Sequence, residues 1–185
     1  MSKLACIMGT TCAGKSTFLD YCETKHPDLI GTINVGKMMR AKYPPEHFKG
    51  SAAPEHTEVE AWSMFTGEMQ RHLDADKKLI LADGQPRSYN QVQWAIELKD
   101  SVIFPVEFVL FDCRKRVREM RLVDRFAGDP ESLDLGLQRL TNDMVLYYTV
   151  LAELTGAKVA VEVIRTDGMF ETYGPQLLER LLDVR

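Results

Sequence analysis

One octapeptide constrains this chain more than any other stretch. Gly9-Thr10-Thr11-Cys12-Ala13-Gly14-Lys15-Ser16 spells G-x-x-x-x-G-K-S, the phosphate-binding loop pattern. Leu4-Ala5-Cys6-Ile7-Met8 precedes it as a short apolar run fit for a buried strand. Thr17-Phe18-Leu19-Asp20-Tyr21-Cys22 follows without a breaker and can continue as a helix. Strand, loop and helix together are the context the pattern needs. The glycines let successive N–H groups face an anion, and the helix adds the positive end of its dipole. Gly9, Thr10, Thr11, Cys12, Ala13, Gly14, Lys15, Ser16 and Thr17 are therefore expected to hold a nucleoside triphosphate. Lys15 reaches the outer phosphates, and the Ser16 hydroxyl can ligate Mg²⁺. An ordinary Gly-rich turn explains the glycines but not the Lys-Ser pair.

The rest of the chain alternates between strand-like and helix-like runs. Strands are expected near residues 4–8, 32–35, 79–82, 106–111 and 158–164. Helices are expected after the loop and over 36–43, 55–73, 88–99, from 114, over 136–154 and over 169–184, the last broken near Gly174-Pro175. Residues 44–54 and 127–135 read as loops. Val59, Trp62, Phe65, Met69 and Leu73 form one apolar stripe, and Leu137, Leu140, Met144, Tyr147, Leu151 and Leu154 another. The expectation is an α/β fold, a three-layer sandwich with a five-stranded parallel sheet and helices on both faces. At 185 residues it reads as a single domain, 1–185. Insertions at 36–73 and 126–136 are the expected moving parts.

Composition bounds the partners. Net charge is −4, without the basic excess of a nucleic-acid coat. Yet Arg114, Lys115, Arg116, Arg118, Arg121 and Arg125 crowd one short segment, which suits a small polyanion. No apolar run approaches a bilayer span and the N-terminus does not read as a secretory signal, so a cytosolic protein is expected; nothing in the chain demands a dimer, and a monomer is expected. The four cysteines form no C-x-x-C pair and give no zinc pattern. Cys6 and Cys113 read as buried. Cys12, near a helix N-terminus, is either a thiol of lowered pKa or a tolerated small residue. His26, His47, His56 and His72 read as surface residues.

In parallel sheets of this kind ligands sit beyond the carboxyl ends of the strands. Asp83 closes the third strand and is expected to hold Mg²⁺ with Ser16. Arg87 follows Gln85-Pro86 at the sheet mouth, where a guanidinium fork suits a phosphate. Arg121 and Arg125, four apart, face one way on a helix, and Arg139 can face the same site. No Glu or His reads as a general base. A phosphate acceptor is already ionised near neutral pH and needs none, which favours a phosphorylated acceptor over water.

On these residues the chain resembles the nucleoside monophosphate kinases, and adenylate kinases above all, nearly end to end. Gly9 to Thr17 is similar to the family's loop, and Asp83-Gly84-Gln85-Pro86-Arg87-Ser88 to its D-G-F-P-R-[ST] signature. The resemblance implies that Arg40 and Arg87 grip the acceptor phosphate. It makes Val35, Gly84 and Gln91 acceptor-binding, with Gln91 reading the base. Arg121-Leu122-Val123-Asp124-Arg125 resembles the pair that stacks on the donor adenine and binds its phosphates, and Arg139 the arginine that bridges both nucleotides. Lys15, Arg87, Arg121, Arg125 and Arg139 are then the catalytic set. The implied reaction converts ATP and a nucleoside monophosphate to two diphosphates with Mg²⁺, under a short lid. Thr11 and Ala13 stand where the family has Pro and Gly, Val35 replaces a small or hydroxyl residue, Lys37 an acid and Gln85 a Phe. The lid lacks an arginine near Gly128-Asp129. Two other readings stay open: a P-loop kinase of a non-nucleotide small molecule, and a nucleotide-binding regulator without turnover.

Overall fold

The computed structural model describes residues 1–43 and 55–183, without the side chains of 55 and 56. The expected loop at 44–54 with His47, the side chain of His56, and Val184 at the last helix end lie outside the described residues.

Five strands form one parallel sheet in the order β2-β3-β1-β4-β5. They are β1 (Lys3–Met8), β2 (Ile30–Ile33), β3 (Leu79–Asp83), β4 (Val106–Asp112) and β5 (Val161–Arg165). Every residue of β1 is buried, as a central strand covered on both faces requires. Even Lys3 is enclosed, where Glu107 pairs with it at 3.1 Å. Alternate residues then feed two cores. Leu4, Cys6, Met8, Ile80 and Phe108 pack with α3 (Glu55–Asp74), α4 (Tyr89–Ser101) and α6 (Pro130–Gly156). Ala5, Ile7, Leu79, Val109 and Phe111 pack with α1 (Lys15–Lys25) and α7 (Gly174–Leu182). This is the α/β P-loop kinase fold.

Register sets the site. Ile7 lies opposite Asp83 on one side and Val109 on the other, so the loop after β1 emerges between Asp83 and the end of β4. Ser88 caps α4 as expected, its Oγ accepting the Gln91 N–H.

Several expectations need correction. The second strand ends at Ile33. Asn34 instead caps α2 (Val35–Lys42), its Oδ1 accepting the Lys37 N–H at 2.8 Å. The fifth strand begins at Val161, after a left-handed turn at Lys158. The loop expected over 127–135 is mostly helix, because α6 starts at Pro130. Gly128 ends the preceding helix region at φ 88°, Asp129 caps the Ser132 N–H, and Pro130 occupies the first turn. The turn between α5 (Lys115–Arg125) and α6 is thus residues 126–129. Val59 drops out of its stripe and is exposed, as is Leu137 of the other. His72 is buried, its Nε2 at 3.1 Å from the Thr32 carbonyl. A Cβ at Gly31 would stand 2.4 Å from the His72 ring, so the glycine is what admits it.

Candidate active site

The loop itself is built on close approaches. Gly9 has φ 139°, and a Cβ there would meet the Phe111 carbonyl oxygen at 2.6 Å. Gly14 has φ 96° and precedes the first turn of α1. Cys12 has φ 61°, left-handed backbone at a non-glycine residue, a strain of about 1 kcal/mol. The glycine-like position of this loop is therefore Cys12, not the buried Ala13. Its thiol is not activated. Burial pushes its pKa up, against the opposing pull of Arg125, Lys15 and Arg121.

Lys15 is enclosed and folds back over the loop, donating to the carbonyls of Gly9 (2.6 Å) and Thr10 (2.9 Å). Burial pushes its pKa down to about 8. Arg87 pushes the same way, and Asp83 and Asp143 oppose. Thr11 is tied across the molecule: its N–H (2.8 Å) and hydroxyl (2.6 Å) both donate to Asp143 Oδ2 on α6.

Asp83 stands at the end of β3. Its Oδ2 accepts from Asn34 Nδ2 at 2.8 Å, while Oδ1 is enclosed without a partner. An unsatisfied buried carboxylate oxygen asks for a cation or a water. Ser16 lines the same cleft with its hydroxyl exposed, so the donor set fits Mg²⁺, which takes one or two carboxylates plus phosphate oxygens.

Two lobes open on this loop. One, of about 360 Å³, is lined by Cys12 to Thr17, Arg121, Arg125, Phe170 and Tyr173. Arg121 spans it, donating to the carbonyls of Cys12 (3.2 Å) and Thr166 (2.7 Å). The other, of about 420 Å³, runs from Lys15, Ser16 and Asp83 to Asn34, Arg40, Arg125 and Arg139. The lobes share Cys12, Lys15, Ser16 and Arg125, so they meet at the lysine.

The guanidinium groups converge. None of Arg40, Arg87, Arg121, Arg125 and Arg139 pairs with a carboxylate among the described residues. The pKa of Arg40 is lowered by burial first, and then by Arg87, Arg139 and Arg125 around it. Such mutual repulsion is the mark of a cleft shaped for a polyanion. Arg87 is solvent-accessible, and its Nε donates to the Gly84 carbonyl at 2.8 Å. A Cβ on Gly84 would sit 2.5 Å from the Arg87 guanidinium, so Gly84 serves by leaving room.

Two expected acceptor residues are placed otherwise. Val35 is part of the core at the first turn of α2, because α2 begins there and turns it inward. Gln91 is buried, and its Oε1 accepts the Arg87 N–H at 2.8 Å, so this end of the amide holds the arginine loop. Asn34, Asp143, Phe170 and Tyr173 were not foreseen. Phe170 and Tyr173 follow the end of β5, the side of the sheet where ligands gather, and that position was the available signal. Asp143 had none, since its partner lies 132 residues away.

Fold and loop together are those of the α/β P-loop class. No family model matches the chain. Two curated proteins do. The chain is 31% identical to the chloroplastic adenylate kinase of Zea mays over 128 residues, 66% of this chain and 54% of that protein. It is 26% identical to the adenylate kinase of a Nitratiruptor species over 160 residues, 83% of this chain and 80% of that one. The chain thus spans about half the length of the maize relative. Its similarity is to adenylate kinases, at low identity, along most of its length.

Proposed function

We propose that this protein transfers the γ-phosphoryl group of ATP to a nucleoside monophosphate. One observation supports this reading above the others: two lobes share Lys15, and the arginines around them have no carboxylate partner among the described residues. In this reading the lobe of Arg121, Phe170 and Tyr173 takes the donor, its triphosphate lying along the loop N–H groups of residues 9–17. The lobe of Arg40 and Arg139 takes the acceptor. Arg87 and Arg40 hold the acceptor phosphate, and Gln91 acts through Arg87 by fixing its backbone. Arg125, at the junction, and Arg139 face the transferring group. As the bond to the leaving phosphate loosens, Lys15, Arg125 and Arg139 balance the charge on the equatorial oxygens. Mg²⁺, held by Ser16 and Asp83, would neutralise the donor phosphates. The acceptor phosphate attacks as an oxyanion, so no general base is required. The helices α2, α5 and α6, which carry Arg40, Arg125 and Arg139, are the described pieces that would close to exclude water.

The test is a coupled assay of ATP·Mg²⁺ against a panel of ribo- and deoxynucleoside monophosphates. At least one should be turned over to its diphosphate, with loss in Lys15→Ala. ATP binding without diphosphate product from any monophosphate would refute the reading. It would leave either a non-nucleotide acceptor or a nucleotide sensor.

A further inference from the structure

A third cavity, of about 200 Å³, lies between β4, α5 and α6, and its lining shares no residue with the two lobes. Its walls include Leu110, Phe111, Met144 and Leu151. Arg118 also lines it, only 5% exposed. That arginine is an electrostatic anomaly. Its Nη1 donates to Thr10 Oγ1, its Nε is enclosed without a partner, and no described carboxylate pairs with it. Asp112, in the same lining, pairs with Arg165 instead, at 2.5 Å. Tyr147 lines the cavity with its ring, while its hydroxyl faces Gly9 and Arg87 on the loop side. A larger groove, of about 460 Å³, adjoins the cavity through Met144 and Tyr148. Its charges, Lys115 and Glu119, pair with each other at 3.7 Å.

A buried guanidinium without an anion is strongly disfavoured, and one hydroxyl does not replace a counter-charge. The donor and acceptor reading makes no use of Arg118. The missing partner is an anion delivered from outside, and the walls dictate its other half. An apolar cavity of roughly 150 Å³ accommodates benzene, so this one has room for a ring and a carboxylate. A dianion would meet the Asp112 carboxylate. We propose that the cavity binds a small monocarboxylate with an apolar body, an aromatic ring or a branched chain, its carboxylate on Arg118. Thr10 receives the Arg118 bond, and its carbonyl accepts from Lys15 Nζ. The bound molecule therefore sits one residue from the loop's lysine anchor.

The test needs no phosphoryl transfer and stands whether or not the kinase reading holds. Amide correlation spectra of the full chain are recorded during titration with benzoate, and with benzamide as the neutral isostere. Benzoate should give saturable shifts at Thr10, Leu110, Met144 and Leu151, with a dissociation constant on the order of 1 mM, and benzamide should bind at least ~10-fold more weakly. Arg118→Met should weaken benzoate at least ~10-fold, and Leu151→Trp, which fills the cavity and leaves Arg118, should abolish the shifts. Equal binding of benzoate and benzamide, shifts that do not saturate, or shifts elsewhere overturn the proposal. So does benzoate binding undiminished in either variant. Should both variants lose the native spectrum, the pair of ligands on the unaltered protein decides alone.

Discussion

The two lobes over Lys15 are made of different material. The donor-side lobe is mostly backbone: a loop whose carbonyls are already tied to Lys15 and Arg121, closed by Phe170 and Tyr173. Phe170, Tyr173 and Phe111 pack edge to face, at 5.4 and 5.9 Å between ring centroids. The acceptor-side lobe is mostly side chain: Arg40, Arg125 and Arg139 stand on three different helices and repel one another. A preformed backbone cradle binds with little reorganisation. A ring of mutually repelling cations gains most when its anion arrives. One side should therefore tolerate substitution of single side chains, and the other should not.

That contrast can be broken by experiment. Lys15→Ala lies where the lobes join and should have the largest effect, lowering kcat by about 10³-fold or more. Steady-state assay with circular dichroism on the same sample separates this from unfolding. Arg87→Ala and Arg40→Ala should each raise KM for the monophosphate by about 10- to 100-fold while ATP affinity moves less than about twofold. If Arg87→Ala leaves acceptor affinity untouched, the division into lobes is wrong there. Asp143→Asn keeps one acceptor for Thr11 but loses the charge. A fall of about 1–2 kcal/mol in unfolding free energy is expected, read by urea titration. Asp143→Ala should lose more.

A further effect concerns pH. Lys15 has a folded-state pKa of about 8 against 10.5 when free. Below pH 8 the enclosed ammonium destabilises the fold. As pH rises from about 8 to 10.5 the unfolded chain holds more protons than the native one, so this group's penalty of about 3 kcal/mol is relieved. Stability of the wild type relative to Lys15→Met should therefore rise across that window. ATP binding should take up a proton above pH 8, measurable by calorimetry in buffers of different ionisation enthalpy. Proton release in that range would contradict the assignment.

The donor lobe was also the more legible in sequence. Most of its parts, the loop to Thr17 with Arg121 and Arg125, lie in two contiguous segments that can be read directly; only Phe170 and Tyr173 come from a third. Strand alternation likewise revealed the parallel sheet, because a central strand such as β1 must be apolar on both faces. The acceptor lobe depends on contacts between distant segments. Val35 reads as ligand-facing until the Asn34 cap shows that α2 starts there and turns it inward. His72 reads as polar surface until Gly31 is seen to clear space for its ring. The turn Gly128-Asp129-Pro130 carries helix-stop, cap and first-turn signals in order, so the early start of α6 was readable and was read instead as a loop. No local pattern leads from Thr11 to Asp143, or from Arg118 to Thr10.

Two nucleosides joined tail to tail by a chain of five phosphates would occupy both lobes at once, and equilibrium binding of that compound is the sharpest measurement. It should bind at least about 100-fold more tightly than ATP or the preferred monophosphate alone, and compete with both. Affinity no better than that of ATP, with no competition against the monophosphate, would mean that the lobes do not meet across Lys15.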